Sequence, residues 1–373
     1  MRRLSLIFCL IGLHLFPHFA YSQTIKLGMS APFSGPTKAL GDEIRHGAEL
    51  YFSRYNQSVA GKKNPITLVT LDDGYEPSRT IVNTRKLLND EELFALFSYV
   101  GTPTSEAILP LIQRHKVPFM TPYTGAEFLR SPVISNIINL RSSYYEEAEL
   151  QVQHFLKTQK IQRVALFIQA DAFGIQASQG YINALKANNV HQIAEARYRR
   201  NTDDIAKALE DITASKPDVV FCVGTYQPIA KLVNTLRQNE ITAPVAMLSF
   251  AAPETLAKHL ESFDDVYITT VMPDPLRSPL TIVKQYREDA SKSHVSHESL
   301  EGYLNAALFT AILANTPQPI TQEKFLNVAR TRRFNLGDLT IDYRENARVA
   351  PLPPLMNKVT VDGPVEVNSD ENK

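Results

Sequence analysis

The sequence contains no tryptophan and only two cysteines among its 373 residues. Cys9 lies in an apolar N-terminal stretch that is expected to be removed, and it follows Phe8, where a lipidation site would call for a small residue. Cys222 is then alone, so no internal disulfide is available and the fold must rest on its own core. Its setting, Val219-Val-Phe-Cys-Val223, reads as a buried strand with cysteine as a small hydrophobe rather than a reactive thiol. Net charge is missing as well: 39 Lys and Arg balance 39 Asp and Glu. A nucleic-acid partner needs a basic surplus to meet phosphates, so that class is excluded. Beyond residue 22 no apolar run is long enough to span a bilayer, and no membrane insertion is expected after processing. The Gly-x-Ser-x-Gly, Gly-Lys-Ser/Thr and Gly-x-Gly-x-x-Gly patterns are absent too. No catalytic residues, cofactor or metal are therefore expected.

What is present begins with an export signal. Met1-Arg2-Arg3 is basic, Leu4 to Phe19 is apolar, and Ala20-Tyr21-Ser22 supplies small residues for cleavage before Gln23. The mature chain of about 350 residues is too long for one ordinary core, and two lobes are expected.

Apolar β-type runs alternate with amphipathic helical patterns, which implies mostly parallel sheets covered on both faces. In the first half, strands are expected at Thr24–Ser30, Ile66–Leu71, Leu93–Val100 and Val117–Thr121. Between them come a loop at Pro32–Gly41, a helix with Ile44, Ala48, Phe52 and Tyr55 on one face, a helix capped by Ser78, and a helix over Glu106–His115. After a short crossing near Asn139–Ser142 the pattern resumes. Strands are expected at Val164–Ile168, Ile193–Tyr198, Asp218–Val223, Val245–Leu248 and Val266–Val271. Helices are expected at Gly174–Asn188, around Ile205, Leu209 and Ile212, and at Pro228–Gln238, Leu280–Ser293 and Leu300–Ala314. Short strands and turns follow from Leu336 to Val367.

Ligands of parallel α/β sheets bind beyond the carboxyl ends of the strands. Two loops there are rich in Gly and hydroxyls: Gly101-Thr-Pro-Thr-Ser105 and Pro122-Tyr-Thr-Gly125. Thr102 suits a helix N-cap with Pro103 at the first helical position, which would leave the N–H groups of Thr104 and Ser105 free to hold a carboxylate. The alternative is that Thr102 and Thr104 only cap the helix. Tyr123, Phe173, Tyr226 and Phe250 stand at loop positions where aromatic rings wall an apolar pocket or pack one lobe on another. His294, His297, Glu298 and Glu301 would share a helical face at metal-like spacing. Because Ser293–Ser299 reads as a connector, a solvated polar face is expected instead. Asp72 and Asp73 read as turn caps rather than a cation site.

The loops in this order resemble the type 1 periplasmic substrate-binding proteins of ABC transporters, in the group that binds leucine, isoleucine and valine. The carriers are Ala31-Pro-Phe-Ser-Gly-Pro36, Leu40-Gly41 with Gly47-Ala48, Asp72-Asp73 with Glu76-Pro77, and the two hydroxyl loops. Ser143-Tyr144 with Glu147-Ala148, Asp171-Ala-Phe-Gly174, Val223-Gly-Thr-Tyr226, Ser249-Phe250 and Ser299-Leu-Glu-Gly-Tyr303 complete them. The resemblance implies two doubly wound α/β lobes joined by three hinge crossings, a periplasmic location and a monomer. Residues 23–140 with 269–335 would form the first lobe, 141–268 with 336–368 the second, and 369–373 a polar tail. It also implies a membrane permease as partner, or a ligand-sensing role on the same fold. The ligand would be a small carboxylate or amino-acid-like molecule. Its expected contacts are Ser34, Leu40, Gly101, Thr102, Thr104, Tyr123, Thr124 and Gly125 on the first lobe, and Tyr144, Phe173, Tyr226 and Phe250 on the second. Amino-acid-binding members place an acidic residue where Phe250 stands, so a carboxylate with an apolar or aromatic body is expected here.

Overall fold

A computed structural model of the chain describes residues 23–90, 92–290, 295–344 and 352–367. The expected signal peptide, Cys9, His294 and the polar tail lie outside the described residues.

The first stretch of chain builds β1 (Ile25–Ala31), α1 (Lys38–Gln57), α2 (Val59–Lys63), β2 (Ile66–Asp72), α3 (Pro77–Leu88), β3 (Leu93–Phe97), α4 (Thr102–His115), β4 (Phe119–Met120) and β5 (Ile137–Ile138). These strands form a parallel sheet in the order β2-β1-β3-β4-β5. The central strand β3, Leu-Phe-Ala-Leu-Phe, is buried at every position, as a strand covered on both faces must be. β2 lies at the edge, and its Thr and Val residues are only partly covered.

The second stretch builds α5 (Tyr144–Thr158), β6 (Arg163–Gln169), α6 (Ala172–Ala187), β7 (Gln192–Tyr198), α7 (Ala206–Ser215), β8 (Val219–Val223), α8 (Tyr226–Gln238), β9 (Val245–Met247), α9 (Pro253–Ala257) and β10 (Val266–Thr270). The chain then returns to the first lobe through α10 (Thr281–Asp289), α11 (His297–Ala314), α12 (Gln322–Thr331) and the hairpin β11 (Arg333–Asn335) and β12 (Thr340–Asp342). It ends in the second lobe with β13 (Leu355–Thr360) and β14 (Gly363–Glu366). The second sheet runs β14-β13-β10-β9-β8-β6-β7, parallel except for the antiparallel β13 and β14. Cys222 sits in the fully buried β8, where burial pushes its thiol pKa up.

Strand pairing moves two expected boundaries. Thr269 and Thr270 pair within the second sheet, while Leu336, Leu339, Ile341 and Tyr343 pack in the first core, so the division does not fall at 269 and 336. Four local expectations also change. α1 begins at Lys38, inside the expected loop. α3 begins at Pro77, whose fixed φ suits the first helical position, so Ser78 lies inside the helix rather than capping it. α10 ends at Asp289, short of Ser293. α11 begins at His297, capped by Ser296, whose hydroxyl accepts from the Ser299 N–H at 3.0 Å. From His297 onward the expected connector is therefore helix.

α11 is apolar on all sides and runs through the interior of the first lobe. It crosses α1 at backbone contact. A Cβ on Gly47 would lie 1.7 Å from the Ser299 carbonyl oxygen, and one on Gly302 would lie 2.0 Å from that of Ile44. Only glycine permits this approach, and it carries the first turn of α11 inward, under the space between the lobes.

Candidate functional site

The lobes face each other across a cleft formed at the carboxyl ends of both sheets. On the first wall, Val100 bridges Tyr123 in parallel, and the Gly101 N–H donates to the Tyr123 carbonyl at 3.2 Å. Gly101 has φ +108°, and a Cβ there would meet the Tyr75 ring at 2.3 Å. Gly101, not Thr102, is the N-cap of α4. That shift of one residue changes which donors are free. The Ser105 N–H bonds the Gly101 carbonyl at 3.1 Å, contrary to expectation, and the helix leaves the Thr102 and Thr104 N–H groups without intrahelical partners. The Thr104 hydroxyl turns back onto the carbonyls of Val100 and Gly101 at 2.5 and 2.9 Å. For Thr104, then, the local role is realised in the side chain and the donor role remains with the backbone.

Three hydroxyls converge beside this helix end. Thr102 Oγ1 and Thr124 Oγ1 lie 2.7 Å apart, and Thr102 Oγ1 donates to the Tyr144 hydroxyl at 3.4 Å. Tyr144 opens α5, and its N–H donates to the Gly125 carbonyl at 2.9 Å. The buried Arg130 holds this wall from behind, its Nη2 donating to the carbonyls of Thr124, Arg141 and Ser142.

Aromatic rings then run across the cleft. Tyr144 meets Phe173 at 5.1 Å between centroids, Phe173 meets Phe250 at 4.7 Å, and Phe250 meets Tyr123 at 5.4 Å and Tyr75 at 6.1 Å. Gly101, Thr102, Thr104, Tyr123, Thr124, Gly125, Tyr144, Phe173 and Phe250 are thus brought together. Leu40 and Tyr226 are buried in the same cluster as these rings. Ser34 donates to Asp72 Oδ2 at 2.6 Å, Leu40 is buried in the core, and Tyr226 donates to the Pro36 carbonyl at 2.5 Å while stacking on His259. Asp72 and Asp73 accept from turn N–H groups and nearby hydroxyls, as turn caps do.

Sequence reasoning missed a second group beside the hinge. Arg141, on the first crossing, is buried with its guanidinium 4.0 Å over the Tyr123 ring, and its Nη2 donates to Ser249 Oγ at 2.5 Å. Ser249 Oγ donates on to Glu147 Oε1 at 2.9 Å, and Thr269 donates to Glu147 Oε2 at 2.5 Å. Arg141 Nε lies 3.8 Å from Glu301 Oε1. Arg141, Ser249 and Glu301, with Tyr123, Pro253, Thr270, Val271, Met272, His297 and Glu298, line a small cavity of about 10 Å³. Burial pushes the Glu301 carboxyl up to about 7, against the pull of Arg141. Burial, reinforced by the charge of Glu254, pushes Glu298 well above the usual carboxylate range.

The expected solvated face at His297, Glu298 and Glu301 is therefore buried. The signal available in the sequence was the largely apolar character of Leu300 to Leu313, interrupted only by Glu301, Asn305 and Thr310, which makes α11 an interior helix and takes its first turn inside as well. Among the described residues, no group of His, Cys, Asp and Glu is placed to hold a metal, and no helix is long and apolar enough to cross a membrane.

The chain matches a family model described as periplasmic binding protein over residues 24–353. It is similar to the Leu/Ile/Val-binding protein BraC3 of Rhizobium johnstonii, at 26% identity over 209 residues that make up 55% of each chain. The chain thus spans about half the length of the curated relatives it matches. Its fold is similar to that of a possible leucine/isoleucine/valine-binding protein from Rhodopirellula baltica, with TM-score 0.85 and 27% identity, covering 94% of this chain and 98% of that one. A substrate-binding periplasmic protein from Ralstonia solanacearum gives TM-score 0.83 at 25% identity, covering 92% and 100%.

Proposed function

The chain belongs to the periplasmic binding protein family, and from that premise we propose that it is an exported solute receptor of an ABC uptake system. It binds a small carboxylate of amino-acid-like form in the inter-lobe cleft and delivers it to a membrane permease. It binds its ligand without transforming it.

One observation carries this reading. The N-terminus of α4, with free Thr102 and Thr104 N–H groups and the converging hydroxyls of Thr102, Thr124 and Tyr144, faces aromatic rings from the other lobe. A helix N-terminus with free donors suits an anionic group. The rings of Phe173 and Phe250 suit an apolar body. A ligand that touches both walls favours the closed arrangement by as much as its differential affinity for it. The name of the Rhizobium relative supports an amino-acid-like ligand.

The test is a thermal-shift and calorimetry panel of aliphatic and aromatic amino acids and simple carboxylic acids. A ligand that binds only the folded form raises the melting temperature. Thr102→Ala is expected to weaken the best ligand by about tenfold or more, the worth of a hydrogen bond to a charged group. The unliganded melting temperature should move by only a few degrees. If Thr102→Ala and Tyr144→Phe both bind as wild type, the carboxylate is held elsewhere.

A further inference from the structure

The hinge pocket contains one buried acidic side chain that has no hydrogen-bond partner of good geometry, with only the Ser296 hydroxyl and its own N–H close by. Glu298 is 1% exposed, and neither of its carboxyl oxygens has a hydrogen-bond partner. The Ser296 hydroxyl, which caps the same helix, donates to Glu43 instead. The cations beside it are engaged with other carboxylates. His297 Nδ1 lies 2.6 Å from Glu254 Oε1, and Arg141 faces Glu301. Glu147, next to Ser249, is held by Ser249 and Thr269. Glu298 lines the cavity together with Tyr123, which bridges Val100 just ahead of α4 and precedes Thr124 in the chain. Leaving a buried carboxyl without a partner is costly, and it persists where something outside the folded chain completes it.

We propose that Glu298 is the counter-ion for a positively charged nitrogen of the ligand, and that it decides the preference for an ammonium-bearing carboxylate over its deaminated analogue. The proposal rests on the reading of the cleft as a carboxylate site and assigns the acidic partner to the first lobe. Phe250 removes that partner from the second-lobe loop, and α11 supplies it from the opposite side. Glu298 and Glu301 line the cavity with Arg141 and His297, and Glu254 lies against His297. A cation placed beside Glu298 is favoured by these carboxylates. Burial and the charge of Glu254 both disfavour a lone charge on Glu298, and an ammonium group beside it offsets that cost.

The experiment uses the purified mature protein and matched pairs: leucine against 4-methylpentanoate, and phenylalanine against 3-phenylpropanoate. Wild type is expected to bind the better amine-bearing member about 30-fold or more tighter than its partner, the scale of losing one side of a buried charge pair. Calorimetry in buffers of different ionisation heat should register proton release with the amine only. E298Q should shrink the preference to within about threefold and abolish the proton release, while E298D should recover part of both. A purely structural role for Glu298 would lower both affinities together and leave the ratio and the proton count unchanged, which overturns the proposal. Wild type that prefers the deaminated acids also overturns it. Should none of these carboxylates bind, the carboxylate reading of the cleft falls and this assignment falls with it.

Discussion

Two buried carboxyls make the stability of this protein depend on pH in an unusual direction. Burial raises Glu301 from its ordinary 4.5 to about 7, and raises Asp73 from 3.8 to about 6 despite hydrogen bonds from Ser30, Thr80 and the Tyr75 N–H. In each window the folded chain keeps a proton that the unfolded chain has already released. Their contribution to stability is therefore full below about pH 4 and is lost as pH rises through 6 and 7. Urea unfolding across pH 4.5 to 8 should show Glu301→Gln and Asp73→Asn each with a shallower fall than wild type. A Glu301→Gln slope equal to wild type would mean that this carboxyl titrates normally in the fold. At this scale the sequence was legible where chemistry is local. Cys222 in an apolar strand and Asp72 and Asp73 as turn caps were readable. Arg141 and Glu298 were not, because charged residues are rarely buried and only a distant contact hides them.

At the scale of elements, strands and helices followed from periodicity, while their first residues did not. Gly101 rather than Thr102 caps α4 because its positive φ lets the chain turn under the Tyr75 ring, a contact made between residues far apart in the fold. α11 begins three residues earlier than its apolar run because Ser296 caps it. Its inward course depends on the close crossing with α1, so Gly47 is the position where one added methyl group should matter most. Gly47→Ala would press a Cβ against backbone on both sides, and overpacking of this kind typically costs about 1–3 kcal/mol. Thermal unfolding should show a drop of several degrees. Ligand affinity should fall too, since the same displacement moves Glu298. Gly47→Ala melting with wild-type protein would mean that the crossing is looser than described.

For the whole molecule, alternating β and α patterns were enough to give two parallel-sheet lobes, and the solved structures of similar fold agree. How the lobes meet was not readable, since it depends on side chains that face each other only after both lobes have folded. Arg200 joins Glu76 at 2.7 Å, Asn201 joins Glu76 and the Gly74 carbonyl, and Tyr226 joins Pro36. The Arg200–Glu76 pair is partly exposed, and such pairs contribute about 0–1 kcal/mol, so this pair alone adds little to the closed arrangement.

The ring sequence Tyr144–Phe173–Phe250–Tyr123 has a calorimetric consequence. Apolar surface withdrawn from water gives binding its negative heat-capacity change. Here those rings are already dry in the closed cleft against one another. A ligand that inserts among them exchanges one set of apolar contacts for another and removes little new surface from water. Titrations at several temperatures should therefore give a binding enthalpy that hardly varies with temperature. A steep dependence would mean that the unliganded protein in solution keeps its cleft open and wet.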